Sequence, residues 1–269
     1  MTIKEWLTSA EETLKDTPDP RSDAIWICEE CLDIPRARLR MAGETPLTAE
    51  RLAKLDAALA RRLQGEPVQY IFSRAPFMGY EFYVDPRVLI PRMDTETLCD
   101  AAANYMKKRP GAKVLDLCAG SGAIGISLAK MFPTARVTLS DISPDAAEVQ
   151  RINAEGVPNV EILTGDLFAP LKGRTFDVIA CNPPYIRSGD MAGLQSEVRR
   201  EPKLALDGGA DGLDLSRRLA AEYQDHLAPG GRIYMEIGFD QGEDVRAMFP
   251  GSQIRKDLNG LDRVVWAEA

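Results

Sequence analysis

The sequence predicts an α/β protein in which a mostly parallel sheet, closed by an antiparallel C-terminal hairpin, follows a small helical domain. From about Glu96 onward, short strand patterns alternate with helical ones, which implies a parallel sheet with helices on both faces. Near the end, Asn259-Gly260 separates two strand-like runs, which is a strong hairpin signal. Before about residue 72, apolar residues recur only at helical spacing.

The first domain, residues 1–72, is predicted to contain three main helices. Thr2 and Glu5 fit a capping box at the start of the first, in which Ile3, Trp6, Leu7 and Leu14 recur at helical spacing. The second is expected over residues 21–31 and the third over residues 48–63. The apolar stripe predicted for the third consists of Leu52, Leu55, Leu59 and Leu63. The residues alone leave a structural role and a partner-docking role equally open.

The chain changes character after the helical region. Aromatic and β-branched residues dominate residues 76–92, interrupted by Asp85-Pro86, which predicts a β-hairpin linker over residues 73–95. The second domain then covers residues 96–269. Its strands are expected at residues 113–117, 136–140, 159–163, 177–181 and 232–237.

Composition narrows the class of protein. The 269 residues carry a net charge of −8, which argues against nucleic acid as the main partner because phosphate contacts depend on Lys and Arg. The first residues lack the apolar core of a signal peptide, and no apolar run approaches a membrane span. Cys28 and Cys31 form a lone C-x-x-C, and His226 is the only histidine, so we expect no metal site. A cytoplasmic protein fits best.

A glycine-rich turn after the first predicted strand of the second domain indicates a nucleotide-type cofactor. It lets the backbone approach a ligand, and Asp141, about 20 residues later, can accept both ribose hydroxyls. Asp166 follows the third strand and can accept an adenine amine, while Leu167 can cover the ring; a helix cap is the alternative for Asp166. Since Gly125 completes a G-x-G-x-x-G, a dinucleotide-binding dehydrogenase stays open here. The cofactor residues predicted from this turn are Cys118, Ala119, Gly120, Ser121 and Gly122.

The fourth strand decides between these chemistries, because it runs into Asn182-Pro183-Pro184-Tyr185. The prolines donate no N–H, so their carbonyls and the Asn182 side-chain oxygen are left as acceptors, and Tyr185 offers a face for stacking. Such a site suits a planar –NH2 group, whose hydrogens need acceptors while its nitrogen attacks an electrophile. The two motifs together predict methyl transfer from S-adenosylmethionine to a planar nitrogen, and hence the class I, Rossmann-like fold of methyltransferases. Asn182 is also expected to contact the cofactor.

Several longer segments resemble the HemK-type release factor glutamine methyltransferases, and the resemblance covers nearly the whole chain, weakly over the first 60 residues. They are EPVQYI at 66–71, VLIPRMDTE at 88–96, EPKLALDGGADGL at 201–213, APGGRIYMEIGFDQG at 228–242 and KDLNGLDRVV at 256–265. The resemblance departs from the usual family pattern at Ser73 and Cys118, which stand where glycine is usual, and at Met93-Asp94, where Pro-Glu is usual.

The resemblance implies N5-methylation of the glutamine in the Gly-Gly-Gln tripeptide of class I peptide-chain release factors. It also implies that residues 1–72 help to hold that substrate. We expect a monomer that binds neither nucleic acid nor membranes.

Three other functions are weighed against this one. A ribosomal-protein glutamine methyltransferase would use the same chemistry. An adenine-N6 DNA methyltransferase can share Asn-Pro-Pro-Tyr but needs a basic groove, which the net charge of −8 disfavours. A non-catalytic protein on a decayed fold is disfavoured by the intact Asp141, Asp166 and Asn182.

Overall fold

The computed structural model describes Met1–Ala269 and divides into two compact units. The first comprises Met1–Ser73 together with Gln195–Arg200. The second comprises Arg74–Leu194 and Glu201–Ala269. No helix has both the length and the apolar composition needed to cross a bilayer.

The first unit is helical, as the spacing of apolar residues predicts. The capping box is confirmed, because the Thr2 hydroxyl accepts the Glu5 N–H and the Glu5 carboxylate accepts the Thr2 N–H. Ile3, Trp6 and Leu14 are buried in its core. The helices are α1 (Ile3–Thr13), α2 (Pro20–Leu32), α3 (Arg36–Leu39), α4 (Ala49–Leu63) and α5 (Val68–Ile71).

The buried face of α4 differs from the predicted leucine stripe. Leu63 is half exposed, whereas its neighbour Arg62 is only 3% exposed. The Arg62 guanidinium is ion-paired with Asp23 (Nε–Oδ2, 2.7 Å) and with Glu197 (Nη2–Oε1, 3.1 Å), which offsets the cost of burying a charge. Spacing alone could not reveal this, because Glu197 comes from the distant segment 195–200.

The second unit is built on a seven-stranded sheet with the order β5-β4-β3-β6-β7-β9-β8. Strands β3 to β7 pair in parallel, whereas β9 pairs antiparallel with both β7 and β8. The predicted mostly parallel sheet and C-terminal hairpin are therefore confirmed. The strands are β3 (Lys113–Leu117), β4 (Arg136–Asp141), β5 (Val160–Thr164), β6 (Phe176–Cys181), β7 (Leu227–Glu236), β8 (Gln253–Lys256) and β9 (Asp262–Glu268).

This unit also contains a pair of short hairpin strands and five α-helices. The antiparallel pair β1 (Ala75–Phe77) and β2 (Tyr80–Phe82) forms within the region predicted as a hairpin, over a shorter span. The helices are α6 (Met93–Met106), α7 (Ala123–Met131), α8 (Pro144–Asn153), α9 (Asp214–Glu222) and α10 (Gly242–Met248). Because the chain adds strands on one side of β3 and then returns to β6 on the other, the order of strands reverses between β3 and β6. Ligands of open α/β sheets bind at such a point, beyond the carboxyl ends of the strands.

Candidate active site

A cavity of about 220 Å³ lies at the carboxyl ends of these strands, entirely within the second unit. The turn between β3 and α7 forms one wall, and the ends of β4, β5 and β6 form others. The segments 87–95 and 202–207 contribute further wall residues. The predicted cofactor residues that line the cavity are Cys118, Ala119, Gly120, Ser121, Asp141, Asp166, Leu167 and Asn182.

Asp141, at the end of β4, holds the glycine-rich turn as well as facing the cavity. Its Oδ2 accepts the Gly120 N–H at 2.8 Å and its Oδ1 accepts the Ser143 N–H at 2.9 Å. Burial raises the pKa of Asp141, and these backbone donors lower it. Each carboxylate oxygen keeps a second lone pair, so the group can still accept hydrogen bonds from a diol.

The remaining glycines of the turn serve packing rather than ligand contact. Gly122 does not line the cavity, and a Cβ at Gly125 would lie 2.3 Å from Leu139 Cδ2. The Gly125 N–H donates to Asp116 Oδ2 at 2.7 Å, while Asp116 Oδ1 is buried and has no partner. Burial raises the pKa of Asp116 to about 8. Gly125 therefore permits the close contact of α7 with the sheet.

Both positions at which the sequence departs from the usual glycine adopt left-handed backbone conformations. Cys118 has φ = 58° and Ser73 has φ = 53°. A residue with a Cβ is strained in this region, at a cost of about 1–2 kcal/mol. The backbone at Cys118 is thus strained in the wall of the cavity, and a glycine at this position would relieve the strain.

We expect Cys118→Gly to raise the free energy of unfolding by about 1 kcal/mol. Relief of the backbone strain stabilises the folded state, and the added entropy of the unfolded chain offsets part of this gain. Thermal unfolding of the ligand-free protein measures the effect. Ser73→Gly offers a matched position that does not line the cavity, and it should also stabilise. Cys118→Ala keeps a Cβ and should give no gain, and a gain equal to that of glycine would show that the thiol rather than the backbone is responsible.

Asp166 reaches the cavity as part of an ion pair. Its Oδ2 lies 2.7 Å from Arg218 Nη2, with both side chains about half exposed. Arg218 also lines the cavity, as do Leu167 and the half-exposed Ile142. Asp166 accordingly keeps one oxygen available to a ligand amine, and two aliphatic side chains lie close enough to cover a ring.

The Asn182-Pro-Pro-Tyr segment contributes unequally to the cavity. Asn182 and Pro184 line it, whereas Pro183 and Tyr185 do not. Asn182 makes one side-chain hydrogen bond, from Nδ2 to Thr95 Oγ1 at 3.2 Å, so its Oδ1 is left to accept from a ligand. The Tyr185 hydroxyl donates to Glu236 Oε1 at 3.2 Å. The amide oxygen is thus the side-chain acceptor of the motif that the cavity exposes.

Two other segments contact this motif, through Gly208 beside Pro184 and through Thr95 on Asn182. Gly208 donates its N–H to Ile186 O at 2.8 Å, and a Cβ there would lie 2.8 Å from Pro184 O. The buried Glu201 carboxylate accepts the Ile90 N–H at 3.0 Å and pairs with Arg92. The segments 88–96 and 201–213 are therefore joined at the cavity wall.

Comparison with known proteins identifies the family. Residues 5–72 match the PrmC N-terminal domain, and residues 94–200 match the methyltransferase small domain. The chain is 40% identical over 273 residues to the release factor glutamine methyltransferase of Koribacter versatilis, covering 98% of each chain. The chain belongs to the release factor glutamine methyltransferase family. Its relative in Salmonella typhimurium is 36% identical, again over 98% of both chains.

The fold class is confirmed as that of methyltransferases. The T. thermophilus 16S rRNA N2 G1207 methyltransferase superposes with a TM-score of 0.53 at 22% identity, covering 72% of this chain and 49% of that one. At this identity the likeness shows the fold alone. Membership of the family makes the chain a methyltransferase, as the glycine-rich turn and Asn182-Pro-Pro-Tyr predict.

Several residues at the site of this methyltransferase escaped the reading of motifs. Arg218 lies on α9, which carries no chemical signal in the sequence. Thr95 lies in the segment 88–96, whose only signal in the sequence is its resemblance to the family. Glu236 ends β7, directly after the buried residues Ile233, Tyr234 and Met235. Its burial could have been suspected only from its place in MEIG, where a charged residue stands among buried apolar ones.

Proposed function

We propose that the protein transfers a methyl group from S-adenosylmethionine to the side-chain amide nitrogen, N5, of the glutamine in the Gly-Gly-Gln motif of class I peptide-chain release factors. The observation that carries the chemistry is the Asn182 amide, whose Nδ2 is held by Thr95 and whose Oδ1 is left to accept at the cavity wall. The names of the relatives support the substrate, since they are release factor glutamine methyltransferases.

The donor set of the cavity fits S-adenosylmethionine. Asp141 would accept from the ribose hydroxyls, and the backbone of residues 118–121 would follow the amino-acid part. Ile142 and Leu167 would cover the adenine, and Asp166 would accept from its amine. When bound, the cofactor would supply an electrophilic methyl group on a sulfonium, and breaking the methyl–sulfur bond would leave a neutral thioether.

The residues of this chain need mainly to position the amide, because an amide nitrogen is a poor nucleophile whose lone pair is delocalised. Asn182 Oδ1 would accept one of its N–H groups at the cavity wall. The Pro183 carbonyl is the predicted acceptor of the other, although Pro183 does not line the cavity. Two such hydrogen bonds would direct the lone pair towards the methyl group. As the nitrogen becomes positive, these hydrogen bonds strengthen and stabilise the transition state. The proton that the nitrogen then loses is acidic enough to leave to solvent.

A transfer assay with three acceptors offered in parallel tests the substrate. Radiolabelled S-adenosylmethionine is mixed with the enzyme and a class I release factor, a ribosomal-protein preparation or duplex DNA. We expect label in the release factor, and none when Gly-Gly-Gln is changed to Gly-Gly-Ala. Label in the ribosomal proteins alone would move the same chemistry to the alternative substrate, and label in DNA would contradict amide transfer.

We also propose that residues 1–72 dock the release factor. The proposal is supported by the match of residues 5–72 to a separate domain and by the absence of predicted catalytic residues there. Deleting residues 1–72 should raise the KM for release factor by about tenfold or more, the cost of losing one favourable contact region. The dissociation constant for S-adenosylmethionine, measured by calorimetry, should stay within about twofold, since the cavity lies within the second unit.

A control is needed because the deletion also removes partners of the segment 195–200. Arg62 pairs with Glu197, and Arg200 Nη2 donates to Gln64 O at 2.7 Å. The full-length double variant Glu197→Gln, Arg200→Gln loosens this segment while keeping the helices. If it raises KM as much as the deletion does, or if the deletion leaves KM unchanged, the docking role is wrong.

A further inference from the structure

The carboxyl group of Glu236 is buried behind the predicted catalytic motif without touching the cavity. Glu236 ends β7 and is 1% exposed, and it is not among the residues that line the cavity. Its Oε1 accepts from the Tyr185 hydroxyl, while its Oε2 has no partner within hydrogen-bonding distance. A buried carboxyl with only one hydrogen-bonded oxygen lowers the stability of the fold, which indicates that Glu236 has another role beside the motif.

Thr95 connects this carboxyl to Asn182. The buried Thr95 hydroxyl accepts the hydrogen bond from Asn182 Nδ2, which leaves its own proton to be donated. The hydroxyl acts on Glu236, because it lowers the pKa of the carboxyl and so favours its charged form, although no closed hydrogen bond joins the two groups. A chain of donors would therefore run from Asn182 through Thr95 to Glu236, whose Oε2 is free to accept.

The direction of this chain decides which atom of Asn182 faces the substrate. The oxygen and nitrogen ends of an amide are nearly the same size, so a flip costs little packing. A carboxylate can only accept, so a charged Glu236 would attract the Thr95 proton, and the Thr95 oxygen is then left to accept from Asn182 Nδ2. If Thr95 instead turned its proton to Asn182, the amide would flip and present a donor to the N–H groups of the substrate.

We infer that Glu236 is a positioning residue that fixes the acceptor orientation of Asn182 through Thr95, and that it anchors Tyr185 at the other end of the motif. The inference rests on the proposed function in one respect, because that orientation matters only if the group that receives the methyl carries N–H groups. It extends the function by assigning a role to two residues outside the motif.

Protonation of Glu236 should disturb this arrangement. Burial, the largest influence, raises the pKa of Glu236 to about 7, and the Thr95 hydroxyl and the charge of Arg263 lower it. The other ionisable groups that face it are Tyr185, which donates to it, and Asp94, whose charge raises its pKa. Arg263 shares its charge with Asp257 and Asp94. As pH falls through about 7, the carboxyl gains a proton that it can donate to Thr95, which releases the constraint on Asn182.

Nuclear magnetic resonance of the Asn182 side-chain amide tests the inference without any substrate. The resonance pair is assigned by its loss in Asn182→Ala. In the wild-type protein we expect its shift to change with pH around a midpoint near 7. In Glu236→Gln, which keeps the shape, the change should vanish. A resonance pair that ignores both pH and Glu236→Gln would overturn the inference, whatever the enzyme methylates.

Single-turnover methyl transfer to a release factor gives the functional half of the test. Glu236→Gln should lower the rate about tenfold, with the KM for release factor and the affinity for S-adenosylmethionine unchanged. Thr95→Ser should keep most activity and Thr95→Val should lose it. The double variant Asn182→Ala, Tyr185→Phe lacks both contacts through which Glu236 acts. Adding Glu236→Gln to this double variant should therefore slow it no further. An additive loss there would contradict the inference.

The two failures can be told apart. A wild-type enzyme that transfers nothing to release factor, while its Asn182 amide titrates as described, would refute the proposed function and support the orientation of Asn182. An active wild-type enzyme whose Glu236→Gln and Thr95→Val variants keep full rates would refute the positioning role alone.

Discussion

Asn182→Ala should lower kcat for methyl transfer about 10²–10³-fold, by analogy with the loss of one oxyanion-hole donor. The substitution removes the acceptor Oδ1 but no charge, and its only side-chain hydrogen bond is the one to Thr95. Folding and affinity for S-adenosylmethionine should therefore change little. Because the lost bond strengthens only as the nitrogen becomes positive, the loss should appear in kcat rather than in KM.

Asn182→Asp serves as the matched variant. It keeps an acceptor towards the cavity, but it cannot donate to Thr95 and it adds a second carboxylate near Glu236. Its rate should lie between those of the wild type and Asn182→Ala. Single-turnover rates with saturating release factor separate the chemical step from binding. A rate for Asn182→Ala near that of the wild type would contradict the positioning mechanism.

Asp141→Ala should weaken S-adenosylmethionine binding at least tenfold, because it removes a charged acceptor for both ribose hydroxyls, each bond being worth about 1.5–3 kcal/mol. The structure gives a second reason for a large effect. The same carboxylate holds the Gly120 and Ser143 N–H groups, so the turn itself loses two hydrogen bonds. Calorimetry of ligand binding measures the combined loss.

Asp166→Asn is a suitable comparison for this prediction. Asp166 also lines the cavity, but it is half exposed and paired with Arg218, so its charge contributes less to a ligand. Its effect on affinity should be several times smaller than that of Asp141→Ala. Unchanged affinity in Asp141→Ala would exclude the predicted cofactor site. Equal effects of the two substitutions would show that the loss comes from removing a negative charge from the cavity rather than from the hydrogen bonds to the ribose.

Local patterns predicted much of the architecture because they are set by neighbours in sequence. The alternation of strands and helices after Glu96, the Asn259-Gly260 hairpin and the Thr2–Glu5 capping box each depend on only a few adjacent residues. The apolar stripe of α4 failed at Leu63, because the burial of Arg62 depends on carboxylates at Asp23 and Glu197. Long-range ion pairs of this kind leave no periodic trace.

The candidate site likewise contains residues that the sequence predicts and residues that only the fold reveals. The residues of the glycine-rich turn, Asp141 and Asn182 were predicted because strand ends in a parallel sheet meet at one edge. Thr95 and Glu236 come from a helix start and from the end of β7, and only the fold brings them to Asn182. Their roles, and those predicted for the motif residues, stay predictions until variants are measured.

The site of methylation tests the central claim most directly. After a reaction with S-adenosylmethionine, the release factor is digested and the peptide containing Gly-Gly-Gln is fragmented by mass spectrometry. The account predicts the mass of one added methyl group on the side-chain amide of that glutamine, and no addition with Asn182→Ala over the same time. A methyl group on another residue of the release factor, or an unmodified peptide from a wild-type enzyme that binds S-adenosylmethionine, would contradict it.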